Sequence, residues 1–113
     1  MARCSPDDMK ATLIGLYMCT GGSPNAHVPP QCVGSKLGSG EARAVYADCL
    51  KRLVRKAYAA EHPTRGGITY NITACGAGVA RTLLREGDLE IDWSARCGGR
   101  PGYRSFAFTN SAT

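Results

Sequence analysis

The stretch EARAVYADCLKRLVRKAYAA, residues 41–60, decides the fold, because it carries the strongest helix signal in the chain. Its apolar side chains recur at spacings of three and four residues, which places them along one face of an α-helix. These residues are Ala42, Val45, Tyr46, Cys49, Leu53 and Ala57. Since Cys49 lies within this apolar stripe, we expect it to form an inward disulfide, to the sheet or to the first helix. The His62-Pro63 pair, followed by Gly66-Gly67, predicts the end of the helix and a turn of the chain.

The opposite face of this helix carries positive charge. Its residues are Asp48, Lys51, Arg52, Arg55 and Lys56. The chain as a whole has a formal net charge of +5, so we predict that the four cations of this face bind an anionic cell-surface target or a protein whose identity the sequence does not give. Nucleic acid is a less favoured partner, because no aromatic side chains interleave with these cations. An ordinary solvated helix face is the alternative interpretation.

Another helix is predicted near the N-terminus, before the helix at residues 41–60. The tetrapeptide SPDD at residues 5–8 combines a capping serine, a proline suited to the first helical position and two carboxylates at the positive end of the helix. Apolar residues then recur at helical spacing as far as Tyr17, and Gly21-Gly22 ends the helix. The competing interpretation is a buried strand over residues 12–18, favoured by the internal Gly15.

Beyond residue 66 the hydrophobic period changes from helical spacing to two, which is typical of half-buried strands. We predict strands over residues 68–73, near 81–85, over 89–93 and over 103–109. Segment 77–86 could instead form a short helix, since alanine, leucine and arginine favour one. Because helices come first and strands follow, we predict an α+β fold with two helices packed on an antiparallel sheet of about four strands.

Six cysteines are spread along the chain without a C-x-x-C pair, which indicates structural disulfides rather than a zinc or redox motif. They are Cys4, Cys19, Cys32, Cys49, Cys75 and Cys97. Disulfides persist in oxidising compartments, so the pattern predicts a secreted, extracellular protein. Six reduced thiols used as small hydrophobes are the alternative. With two histidines in the whole sequence, we expect no metal site and no cofactor.

The length predicts one secreted cysteine-rich domain over residues 1–113, which we expect to be monomeric. No apolar run approaches the roughly 18 residues of a membrane span. The start Met1-Ala2-Arg3 has no signal-peptide core, and we infer that a leader was removed and that Met1 is an expression start.

Two further features suggest binding or modification. Residues 20–40 are rich in glycine, proline and serine, and a bridge from Cys19 to Cys32 could present His27 and Val28 in a rigid loop suited to partner binding. Asn71 begins the sequon Asn-Ile-Thr on the predicted outward face of a strand, which makes it a candidate glycosylation site.

No residue set predicts catalysis, so we name no catalytic residue and favour a non-enzymatic protein. In size and cysteine pattern the chain resembles small secreted effectors and killer toxins as a class. This resemblance implies an effector or toxin-like role in virulence, antimicrobial action or killing of a competitor cell.

The first alternative is a secreted protease inhibitor using the loop between Cys19 and Cys32. The second is a small secreted hydrolase such as a ribonuclease, built on His62 with neighbouring charged residues. Those neighbours are Glu61, Glu86, Arg65 and Arg85.

Overall fold

The computed structural model describes residues 3–87 and 89–98. Within them, the elements in chain order are α1 (Pro6–Thr20), α2 (Pro30–Lys36), α3 (Glu41–Arg55), β1 (Ala59–Thr64), β2 (Gly67–Ile72) and α4 (Ala74–Glu86). The two strands pair in one antiparallel sheet. The predicted α+β class is confirmed. The predicted numbers of two helices and about four strands are wrong for the described part of the chain, which has four helices and two strands.

Helix α1 begins as the sequence predicts. The Ser5 hydroxyl accepts from the Asp8 backbone N–H at 3.1 Å, and the Asp8 carboxylate accepts from the Ser5 N–H at 3.0 Å. This reciprocal cap satisfies two amide groups that the helix leaves unpaired. The alternative strand over residues 12–18 is wrong. Gly15 lies inside the helix because α2 crosses there, and a Cβ on it would stand 3.4 Å from the Val33 side chain.

Helix α3 ends at Arg55, five residues before the predicted end. Ala57 adopts a positive φ of 65°, which reverses the chain, and Ala59 already begins β1. His62 and Pro63 therefore lie in β1 rather than at the end of the helix, and that part of the prediction is wrong. The chain does turn at Arg65-Gly66, as the pair Gly66-Gly67 predicts. The reversal at Ala57 places Tyr58 in the core with no exposed surface, and burial of this large ring stabilises the otherwise unfavourable backbone at Ala57.

The alternation predicted over β2 is confirmed only in part. Tyr70 and Ile72 are buried, but Ile68, beside the hairpin turn, is 43% exposed and Asn71 is buried. His62 of β1 pairs in register with Thr69 of β2. On the other side of β2, Val28 forms an isolated antiparallel bridge with Tyr70. The loop before α2 is therefore tied to the free edge of β2 at this one residue.

The predicted strand near 81–85 is wrong, and the alternative helix is correct. Thr73 caps α4 by accepting from the Gly76 N–H at 2.9 Å. Residues 89–93 also form no strand in the described part of the chain, although Leu89 and Ile91 alternate with exposed neighbours and are buried. The alternation of buried and exposed side chains over these residues therefore comes from a segment that packs on the core without pairing in the sheet. The predicted strand at 103–109 lies outside the described residues.

All six cysteines are paired, as Cys4–Cys49, Cys19–Cys32 and Cys75–Cys97. Cys49 bridges inward to Cys4, which immediately precedes the cap of α1. Bridges of this kind typically contribute about 2–4 kcal/mol each, so they supply much of the stability of a small domain. No helix in the described ranges is long and apolar enough to cross a membrane.

Candidate functional site

A cleft opens where the last turns of α3, the start of α1 and the segment around Trp93 meet. It encloses about 380 Å³. Its lining consists of Cys4, Pro6, Met9, Arg52, Arg55, Lys56, Trp93 and Ser94. The Cys4–Cys49 bridge holds the start of α1 beside α3, and the last turn of α3 and its C-cap residue, Lys56, supply every charged side chain of the lining. We call this site the basic cleft.

The three cations of the basic cleft are held differently. The Arg52 guanidinium lies 3.3 Å from the Asp48 carboxylate one helical turn earlier, and both side chains are about half exposed. The Lys56 ammonium donates to the Ser94 carbonyl at 2.8 Å. Arg55 is exposed and has no ion pair or hydrogen bond from its side chain within residues 3–87 and 89–98. Arg55 is therefore the cation most available to an anionic ligand.

The predicted basic face only partly coincides with this cleft. Arg52, Arg55 and Lys56 converge on it, whereas Lys51 is exposed on the same helix and does not line it. Lys51 lies one helical turn before Arg55, about 40° from it around the helix axis, so the cleft is confined to the end of the helix and does not extend along the whole basic face.

Trp93 forms the aromatic wall of the basic cleft. Its ring is half-buried and lies 5.0 Å from that of Tyr58, tilted by 46°. Its indole N–H is buried and meets no acceptor among the described residues. Ser94 fixes the adjacent backbone by donating from its N–H and its hydroxyl to the Asp92 carboxylate, at 3.1 and 2.5 Å. These two hydrogen bonds, chiefly the one from the Ser94 hydroxyl, lower the pKa of the Asp92 carboxyl. The carboxylate that accepts them therefore stays ionised at neutral pH.

Sequence reasoning missed Trp93, Ser94 and Met9 as site residues. They come from two segments that are distant from α3 along the chain. The segment containing Trp93 is held there by the Cys75–Cys97 bridge and by the Cys97 N–H, which donates to the Lys56 carbonyl at 2.8 Å. No local pattern around Trp93 signals that contact.

A second cluster lies on the outer face of the sheet. The rings of His27 and His62 stack with centroids 4.3 Å apart. The His62 Nε2 atom lies 2.8 Å from the Asn71 Oδ1 atom, and the Asn71 amide donates from Nδ2 to the Pro24 carbonyl at 3.1 Å. The structure thus joins His27, a predicted binding residue, to His62, which the sequence suggested for a hydrolase. We call this group the histidine pair.

The prediction that Asn71 points outward into solvent is wrong. Its side chain is buried, with the residue 8% exposed, and Nδ2 is used in hydrogen bonds to the Pro24 and Ile72 carbonyls. A glycan attached at Nδ2 would have to displace these contacts. Glycosylation of Asn71 stays a prediction, and the folded geometry disfavours it.

The Cys19–Cys32 bridge closes the loop that carries His27 and Val28. Val28 donates to the Tyr70 carbonyl at 2.8 Å and accepts from the Tyr70 N–H at 2.7 Å. Its backbone is therefore already paired within the sheet, while the neighbouring His27 side chain is exposed.

Comparison with protein-family models, curated proteins and solved structures finds no match to this chain. Within the described ranges, no group of three or more histidine, cysteine or acidic residues could hold a metal ion. The fold and the site therefore define only a class: a small α+β domain with three disulfides, a basic cleft and an exposed histidine pair.

Proposed function

We propose that this chain is a secreted, non-enzymatic effector or toxin-like protein that binds an anionic polymer on the surface of a target cell through the basic cleft. The observation that carries the proposal is the convergence of Arg52, Arg55 and Lys56 on one cleft that has Trp93 as a wall.

Three disulfides in a chain of this size support an extracellular location, since such bridges persist where the surroundings are oxidising. They also limit local unfolding, which protects a secreted protein from proteases. The net charge of +5 favours approach to a negatively charged surface at low ionic strength.

The lining of the cleft indicates the chemistry of the ligand. Arginine forks match phosphate and carboxylate groups through paired hydrogen bonds. Met9, Pro6 and the Trp93 ring provide apolar surface beside these cations, as the faces of sugar rings require. A cell-surface polysaccharide bearing phosphate or carboxylate groups satisfies both requirements.

The binding can be measured through Trp93, which is the one tryptophan in the sequence and lies in the cleft. We expect titration with a purified phosphate-bearing cell-wall polymer to change its fluorescence, and a neutral polysaccharide to leave it unchanged. Arg55→Gln should weaken binding by about tenfold, the usual loss for a hydrogen bond to a charged group. The matched control is Lys51→Gln, which removes the same charge from the same helix outside the cleft.

An equal loss in Arg55→Gln and Lys51→Gln would show that net charge alone attracts the polymer, and would contradict a role for the cleft. Retention of binding in the triple variant Arg52→Gln, Arg55→Gln, Lys56→Gln would contradict the proposal altogether. Binding to vesicles of anionic lipid, without binding to the polymer, would assign the cleft a different ligand.

The inhibitor alternative has weaker support. Inhibitors that imitate a substrate offer a free backbone strand to the protease, and Val28 already uses both of its backbone groups against Tyr70. Absence of inhibition across serine and cysteine proteases would exclude the alternative.

The hydrolase alternative loses three of the four neighbours that the sequence suggested. Glu61 lies beside Tyr70, on the opposite face of β1 from His62, while Arg85 and Glu86 pair with each other at the end of α4, 3.9 Å apart. It gains His27 as a possible acid or base. RNA cleavage that is lost in His62→Ala would support it, and cleavage unaffected by this change would exclude His62.

A further inference from the structure

We propose that the histidine pair, His27 and His62, binds a divalent transition-metal ion of the kind that prefers imidazole ligands, namely Cu²⁺, Ni²⁺ or Zn²⁺. The two rings lie 4.3 Å apart on an exposed surface. The pair shares no residue with the basic cleft, so this inference stands or falls independently of the proposed function.

The backbone holds both histidines in place. His62 belongs to β1 and pairs in register with Thr69 of β2. His27 precedes Val28, which forms an isolated bridge with Tyr70 on the other side of β2. The two histidines therefore come from segments on either side of β2. Such fixed positions reduce the entropy that chelation costs.

Asn71 prepares His62 to act as a ligand. Because Asn71 Nδ2 donates to the Pro24 carbonyl, its Oδ1 atom faces His62 and accepts from the Nε2–H. The neutral imidazole then carries its free lone pair on Nδ1. Metal-binding histidines usually donate their second ring N–H in this manner, which fixes the tautomer and the orientation of the ring.

His27 supplies the second ligand. The two ring planes are inclined by 24°, so His27 must turn about its side-chain bonds before both rings direct a nitrogen at one ion. Its side chain is exposed, so this rotation disturbs no core contact. Water completes the coordination, as expected for a surface site with two protein ligands.

The surroundings favour a metal ion over acid–base chemistry. In the described part of the chain, no ion pair or hydrogen bond joins either imidazole to a lysine, arginine, aspartate or glutamate. Cleavage of a phosphodiester needs a cation close to the developing charge. A metal ion needs only unprotonated imidazole nitrogens and access from solvent.

The test is calorimetric titration of the full chain, prepared without a histidine tag, with Ni²⁺, Cu²⁺ and Zn²⁺, and with Mg²⁺ as an oxygen-preferring control. We expect one ion per chain from the first three and none from Mg²⁺. His27→Gln and His62→Gln should each weaken binding by at least about tenfold, because two tethered ligands bind more tightly than one. The variant that carries both substitutions measures the metal binding contributed by all other groups.

A further readout addresses the role of the pair. Ni²⁺ should raise the melting temperature of the wild-type chain and leave that of the double variant unchanged, since an ion that binds the folded state stabilises it. Binding by the double variant equal to that of the wild type would overturn the proposal. Single variants that bind as tightly as the wild type would overturn it as well, since the rings would then not chelate together.

Discussion

Gly76, in the first turn of α4, packs directly against the carbonyl oxygen of Tyr58, in the reversal that follows α3. A Cβ at position 76 would overlap this oxygen, and the Ile72 side chain leaves no room on its other side. Thr73 joins the same contact, because its N–H donates to the Tyr58 carbonyl at 3.1 Å and its hydroxyl donates to the Ala57 carbonyl at 2.8 Å. Helix α4 thus packs on the backbone of Ala57 and Tyr58, where the chain reverses direction.

Gly76→Ala should therefore destabilise the fold. The added methyl group must push α4 away from Tyr58, and overpacking of this kind costs about 1–3 kcal/mol. Chemical unfolding measures the loss. Gly66→Ala is the matched control, since a Cβ there meets nothing within 4 Å and should change the free energy of unfolding by no more than about 0.5 kcal/mol. Equal stability of the two variants would contradict the packing described here.

Tyr58 predicts how stability depends on alkaline pH. Burial, with a smaller contribution from the Asp92 carboxylate, raises the pKa of Tyr58 from 10.0 to about 12. The unfolded chain loses this phenolic proton first. The stabilisation is therefore complete below about pH 10 and is lost as the pH rises toward about 12.

Tyr58→Phe should flatten this alkaline decline. Because the Tyr58 hydroxyl is buried without a hydrogen-bond partner in the described ranges, we expect its removal to change stability at neutral pH by less than about 1 kcal/mol. Unfolding of both proteins between pH values of about 8 and 11 provides the comparison. An alkaline decline as steep in the variant as in the wild type would show that other groups cause it.

The Cys75–Cys97 bridge should control the wall of the basic cleft. Replacing both cysteines with serine removes the tie on the segment that carries Trp93, and should cost about 2–4 kcal/mol of stability. The fluorescence of Trp93 should shift to longer wavelength, and binding of the anionic polymer should weaken. The matched control replaces Cys19 and Cys32 with serine, which removes a bridge remote from Trp93. A similar spectral shift in the control would indicate general loosening of the fold instead.

Much of the helical structure could be predicted because its signals are local. Ser5 and Asp8 form the cap of α1 within four residues, and the apolar stripe around Cys49 needs no knowledge of what covers it. Helix α2 was missed because it is seven residues long and lies in a stretch rich in proline and glycine. It is held by packing on α1 at Gly15 and by the Cys19–Cys32 bridge.

The end of α3 was mispredicted for a related reason. Alanine favours helix, so nothing local marks Ala57 as the residue that reverses the chain. Burial of Tyr58 and contact with Gly76 make this conformation favourable, and both depend on α4. The strand predicted near residues 81–85 failed likewise, since Thr73 begins a helix whose buried face includes Val79, Ala80 and Leu83.

By itself, the sequence determined the α+β class, the cap of α1, the apolar stripe, the excess of positive charge and the capacity for three disulfides. Each of these follows from composition or from residues within a turn or two of one another. The tertiary structure decided which cysteines pair, that Trp93 stands beside Arg52, Arg55 and Lys56, and that His27 meets His62 over Asn71. These contacts join residues far apart along the chain, and the physical reason is that packing of the whole core, rather than any local preference, selects them.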